Sequence, residues 1–154
     1  MQQLVDPDSF GFLITDLSRM IRAEMDRRVA QAGLGITAGE ARTLVHAARA
    51  GAVRQNVLAE RMGIEAMTLS AYVERLEERG LVTRNTDPAD RRAKQIELTP
   101  AAGAVLAAIR AIAADIRAEA SRSLPRDDWE KMLAILKTAR ANLSDARLAG
   151  KDAA

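Results

Sequence analysis

From Phe10 onward, apolar residues recur every three or four positions: Phe10, Leu13, Leu17, Met20, Ile21 and Val29, with Arg19, Arg22, Arg27 and Arg28 among them. That period predicts a helix from Ser9 to Ala32, stopped by Gly33 and Gly35. Thr37-Ala-Gly-Glu40 has the form of a capping box, in which the Thr hydroxyl and the Glu carboxylate each satisfy an unpaired N–H of the first turn. The helix it opens carries Ala41, Leu44, Val45 and Ala48 on one face and ends before Gly51. After the short stretch Ala52 to Arg54, QNVLAERMGI sets Leu58, Ala59 and Met62 along one side of a two-turn helix broken at Gly63. A further helix runs from Ala66 to Arg79 and stops at Gly80. Two short helices about a turn at Gly63 have the spacing of a helix-turn-helix.

The period then changes from helical to alternating. Strands are expected over Val82 to Thr86 and Lys94 to Leu98, joined by Asp87 to Ala93. Thr99 and Pro100 read as the cap and first position of a helix running to about Ser121, with Val105, Ile109, Ile112 and Ile116 on one stripe. Pro125 opens the last helix, where Asp127 and Asp128 face the helix dipole favourably. Trp129, Met132, Leu136, Ala139 and Leu143 form its coiled-coil-like seam. The order predicts a mainly α chain with a small β-hairpin wing. Residues 37–99 form a winged helix-turn-helix, 1–36 and 100–148 a helical dimerisation region, and 149–154 a frayed tail. The terminal helices carry more apolar stripe than one small core can cover, which favours a second copy of the chain as partner.

Composition agrees without deciding function. Of 154 residues, 48% are apolar and only 3% aromatic, which favours helices over sheets in a single domain. There is no apolar run long enough to span a bilayer, and MQQLVDPDSF lacks the basic-then-apolar plan of a signal peptide. A cytoplasmic chain with no membrane contact is therefore expected. One histidine, no cysteine, no Gly-rich phosphate loop and no spaced metal ligands leave only carboxylates from which to build a site, and most of those lie beside arginines at helical spacing, as solvated pairs do. Neither an enzyme nor a cofactor is expected. With 23 basic against 21 acidic residues the totals are nearly balanced, so only the placement of charge can point to a partner.

That placement is informative at two points. On EAMTLSAYVERLEERG, Leu69, Val73 and Leu76 must face inward, leaving Met67, Ala71, Arg75 and Glu78 opposite and Thr68 and Ser70 on the flanks. Its acids, Glu74, Glu77 and Glu78, crowd the second half, so phosphate would be tolerated only near the N-terminal half. This fits a recognition helix entering the DNA major groove by its N-terminal end. Thr68 and Ser70 can hydrogen-bond base edges or phosphates, Ala71 can touch a thymine methyl, and Arg75 is better set for phosphate. The second point is DPADRRAKQIELTP, where Arg91 and Arg92 sit near a hairpin tip and cannot be core residues. A guanidinium there can enter a narrow A·T-rich minor groove, and Asp90 can orient an arginine fork. A solvated helix face and a solubilising strand edge are the plainer readings of the two features.

The run LAERMGIEAMTLSAYVERLEERGLVTRNTDPADRRAKQIELTPAA resembles the winged-helix core of the MarR/SlyA family of bacterial transcription regulators. The matching pieces are Leu76-Glu77, Gly80-Leu81-Val82, Arg84, Asp90-Arg91-Arg92, Leu98-Thr99 and Gly103. The resemblance extends upstream to ITAGEARTLVHAARAG and, at both ends, to the family's dimerisation helices. It implies a homodimeric reader of pseudo-palindromic double-stranded DNA, with recognition positions at Thr68, Ser70, Ala71 and Arg75 and the minor-groove arginine at Arg92. Two-fold symmetry would then set the recognition helices roughly 34 Å apart. Two departures stand out. Ala71 occupies a position where many relatives carry arginine. Arg54 stands where a capping Thr or Ser is common, so Gln55 or Asn56 is left to cap and Arg54 to meet phosphate. The family often binds small aromatic acids or phenols between the dimerisation helices and the winged helix, which releases a repressor from DNA. Here Arg19 and His46, the one histidine, are the candidates for such a ligand, and a plain inter-helix hydrogen bond is the alternative for His46. A winged helix used only to contact other proteins is the rival to DNA reading, and it would have no need of paired wing arginines.

Overall fold

The computed structural model describes residues 5–152. Its elements run α1 (Phe10–Gln31), α2 (Ala38–Ala50), β1 (Val53–Arg54), α3 (Gln55–Met62), α4 (Ala66–Glu78), β2 (Val82–Asp87), β3 (Asp90–Leu98), α5 (Ala102–Ala120) and α6 (Arg126–Asp152). The fold is a winged helix-turn-helix with a helix before it and two after it. The strands form one antiparallel sheet in the order β1-β3-β2, so the hairpin is joined along β3 by the short strand that precedes α3. The chain divides into two compact units, one reaching Ile116 and the other starting at Arg117.

In the first unit the core gathers Leu44 and Ala47 of α2, Leu58 of α3, Leu69, Val73 and Leu76 of α4, and Val82 and Ile96 of the sheet. Thr37 behaves as its sequence predicts: its hydroxyl accepts from the Glu40 N–H at 3.3 Å while the Glu40 carboxylate accepts from the Thr37 N–H at 3.0 Å. The buried face of α2 is Ala41–Leu44–Ala47 with Thr43, not the expected Ala41–Leu44–Val45–Ala48, because Val45 and Ala48 point to solvent. Gly63 ends α3 in the left-handed region (φ 64°, ψ 36°), and the Ile64 N–H reaches back to the Ala59 carbonyl, closing the turn into α4.

Thr99 departs from its expected role. Its hydroxyl donates to the Gly80 carbonyl at 2.6 Å, and its N–H to the Leu81 carbonyl at 3.0 Å, which ties the end of the wing to the end of α4. Regular α5 begins only at Ala102, after a tight turn through Pro100. On α1, Val29 is buried, whereas Phe10, Leu13, Leu17, Met20 and Ile21 are all about half exposed. In the second unit, α6 carries Trp129, Met132, Leu136 and Ala139 half-buried and Leu143 exposed. It continues through Asp152, past the boundary expected at 148; residues 153 and 154 of the tail lie outside those described. No helix among the described residues is long and apolar enough to cross a membrane.

Candidate nucleic-acid interface

The hairpin is longer and tighter than its sequence pattern suggests. The Asp87 carboxylate accepts from the Ala89 N–H at 2.8 Å, an Asx turn that reverses the chain at Pro88-Ala89. Pairing then jumps from Asp87↔Asp90 to Thr86↔Lys94, so Arg91, Arg92 and Ala93 have no partner on β2. The expected open loop of 87–93 is thus a two-residue turn plus a bulge, and the bulge throws out both arginines. Asp90 does not hold a guanidinium fork: its carboxylate accepts from the Arg92 backbone N–H at 3.0 Å. Arg91 and Arg92 are exposed, and neither side chain has an ion-pair partner among the described residues.

Two other arginines fasten the wing instead of extending from it. Arg54 of β1 pairs with the buried Asp87 at the far end of β2, spanning the strand between them. The Ala89 N–H and the Arg54 guanidinium together hold the Asp87 carboxyl below its ordinary pKa. The Arg54 guanidinium is therefore engaged by a carboxylate of the protein, while its side chain remains partly exposed. Nor do Gln55 and Asn56 take over a cap, since no side chain caps α3. Arg84 donates from its Nε to Glu77 at 2.9 Å and from its N–H to the same carboxylate at 3.2 Å, which joins β2 to α4.

Gln55, Asp90 and Arg92 come together in one cleft of about 470 Å3, with Ala66 at the start of α4 on its wall. Asn56, Arg84 and Lys94 also line it. Strand alternation offered a signal for Lys94, which lies opposite Thr86 and donates to its hydroxyl at 3.2 Å. Thr68 is exposed on α4, and Ser70 and Ala71 are half-buried beside it. Arg75 stands apart. Its Nε donates to the buried Glu40 carboxylate at 2.5 Å, and its guanidinium lies 5.5 Å from the centre of the Tyr72 ring. Tyr72 in turn covers Gly39, where an added Cβ would come within 2.4 Å of the ring.

Arg19 and His46 are not brought into contact. Arg19 pairs with Asp16 at 3.1 Å on the exposed side of α1 and lines a groove of about 620 Å3 with Ile14, Arg22 and Asp26. His46 is half-buried on α2; burial first, then the charges of Arg49, Arg22 and Arg42, push its pKa below 6.5. Arg22 is the residue common to both surroundings, and helical spacing from Arg19 was the available hint. A His held neutral in the folded state loses stability on acidification, because below 6.5 the unfolded chain takes up a proton the folded chain resists. Urea unfolding between about pH 8 and 5 should show stability falling with pH, and His46→Gln should flatten that fall. An unchanged slope would mean that His46 titrates alike in both states.

The MarR family profile matches residues 34–93, from just before α2 to the wing bulge. The transcriptional regulator PA3341 is 37% identical over 89% of this chain and 99% of its own, with a TM-score of 0.72. The chain belongs to the MarR family of transcriptional regulators. A MarR-family regulator from Rhodococcus sp. RHA1 is 27% identical over 90% of this chain and 96% of its own, with a TM-score of 0.72. CouR from Rhodococcus jostii RHA1, solved bound to p-coumaroyl-CoA, is 28% identical over 90% of this chain and 95% of its own, with a TM-score of 0.67. The segment of this MarR-family chain that the profile matches contains the cleft, the bulge and α4 whole, apart from Lys94.

Proposed function

We propose that this MarR-family chain is a homodimeric, sequence-specific DNA-binding repressor, released by a small aromatic or phenolic ligand. One observation carries the reading of DNA as partner: two unpaired arginines project from the wing bulge beside a cleft that the first residues of α3 and α4 share. Thr68, Ser70 and Ala71 on α4 would meet base edges in the major groove, and Arg91 and Arg92 the adjacent minor groove and its phosphates. Gln55, near the cleft, would meet backbone. Arg54 would contribute only by holding the turn end of the wing through Asp87. The exposed apolar side chains along α1 support a second copy as partner, since about 25 cal/mol is gained per Å2 of apolar surface removed from water. The ligand reading rests on the cations Arg19 and Arg22, suited to a carboxylate, on the neutral His46 imidazole near Arg22 as a hydrogen-bonding group, and on the phenolic acyl group that CouR carries.

Fluorescence anisotropy on the DNA flanking the chain's own gene, against a scrambled duplex, tests the proposal. Preference for the native duplex by about 10³ or more is the expected result. Aromatic acids and phenols added to that complex should lower the anisotropy. A folded protein that binds neither duplex would favour the protein-interaction role instead.

A further inference from the structure

Tyr72 and Arg75 of α4 and Arg79, which caps its C-terminus, follow one another at three- and four-residue spacing, and all three lie on the start of α2 or the segment leading to it. Tyr72 rests on Gly39, Arg75 reaches Glu40, and a Cβ at Gly35 would come within 2.8 Å of the Arg79 guanidinium. Glu40 is only 2% exposed, so its two oxygens are satisfied from inside the protein: one by Arg75 at 2.5 Å, the other by the Thr37 N–H at 3.0 Å. Burial pushes its carboxyl up, but Arg75 and Thr37 outweigh that and hold it below its ordinary pKa. Were Arg75 to swing out to a phosphate, it would leave a buried carboxylate without its cation, the costly half of breaking such a pair.

We infer that the Glu40–Arg75 pair is a strut that fixes the pose of α4 on α2, so that Arg75 is a positioning residue for DNA reading and does not itself bind phosphate. The inference rests on α4 being the reading helix. It adds a residue, Glu40, that faces the protein interior and yet governs affinity. Because a capping box accepts Gln as well as Glu, Glu40→Gln keeps the bond to Thr37 while removing the charge that Arg75 answers.

Operator affinity is to be measured over a salt series for wild type, Glu40→Gln, Arg75→Met and the double variant. Each single change should weaken binding about tenfold, the double should be no weaker than the weaker single, and the salt slope should stay as in wild type. Arg75→Lys should recover only part of the loss, since Lys lacks the planar fork. The strut is overturned if Arg75→Met makes the slope shallower by about one unit per protomer while Glu40→Gln binds normally. It is equally overturned if both variants only melt earlier and bind as tightly as wild type. Hydrogen exchange of the α4 amides needs no DNA and should show reduced protection in both variants; unchanged protection rejects the strut by itself. Wild type that fails to prefer its operator would remove the DNA reading, and the exchange result would still decide whether the pair fixes α4.

Discussion

Leu69→Ala is expected to lower the unfolding free energy by about 2–5 kcal/mol, read by urea or guanidinium titration. Leu69 is wholly buried, on the inward stripe that α4 shares with Val73 and Leu76. Removing most of its side chain loses the transfer energy and leaves a cavity that α2 and α3 cannot fully close. A loss of that size in a domain worth about 5–15 kcal/mol should lower the melting temperature by roughly 10 °C. Thr68→Ala, next to it but exposed, should change stability by no more than about 0.5 kcal/mol. The pair of variants thus separates the two faces of one helix. A Leu69→Ala loss below about 1 kcal/mol would mean that α4 does not pack as described.

Reversing both wing arginines, Arg91→Glu with Arg92→Glu, should have the opposite profile. Both side chains stand in the unpaired bulge, exposed and without an ion-pair partner among the described residues, so melting should be nearly unchanged. Operator affinity, in contrast, should fall by about 10²-fold or more at about 0.1 M salt, because two attractive charges become two repulsive ones in each wing. The salt slope should become shallower by about 0.9 for each phosphate that is no longer neutralised. If binding and slope both survive the reversal, the wing does not meet DNA. The Arg54–Asp87 pair predicts a further contrast within the same hairpin: Arg54→Gln should weaken binding while leaving the salt slope as it is in wild type.

The features legible in the sequence are those that a few neighbouring residues decide. The Thr37–Glu40 box, the Gly63 stop and the inward stripe of α4 depend on spacings within one or two turns, and they stand as expected. The partners of the arginines were not legible. Arg75 meets a carboxylate 35 positions earlier and Arg54 one 33 positions later, and no local period encodes which distant carboxylate faces which guanidinium. Before folding, Arg54, Arg75, Arg91 and Arg92 look alike; the structure divides them into two that brace it and two that do not. Thr99 shows the same limit across 19 positions. Thr-Pro is a sound helix-start signal, but the Gly80 carbonyl left open at the end of α4 competes for the hydroxyl and takes it. The sequence pattern shows the wing in outline only, because the Asx turn at Asp87 shortens the loop and forces the extra residues into a bulge.

Two of the glycines look equally fixed but would behave differently as the sequence drifts over generations. At Gly63 a Cβ would meet no atom within 4 Å, so the barrier is the handedness of the backbone at φ +64°, about 1–2 kcal/mol for most L-residues. That barrier arises within the residue itself, and no change elsewhere in the chain can relieve it. Gly39 is barred by its neighbour, the Tyr72 ring, and not by its own conformation. A smaller residue at 72 would open the position to alanine, and alanine at 39 would in turn disfavour tyrosine at 72. Positions 39 and 72 are therefore expected to change together among descendants of this chain, while position 63 keeps its glycine alone.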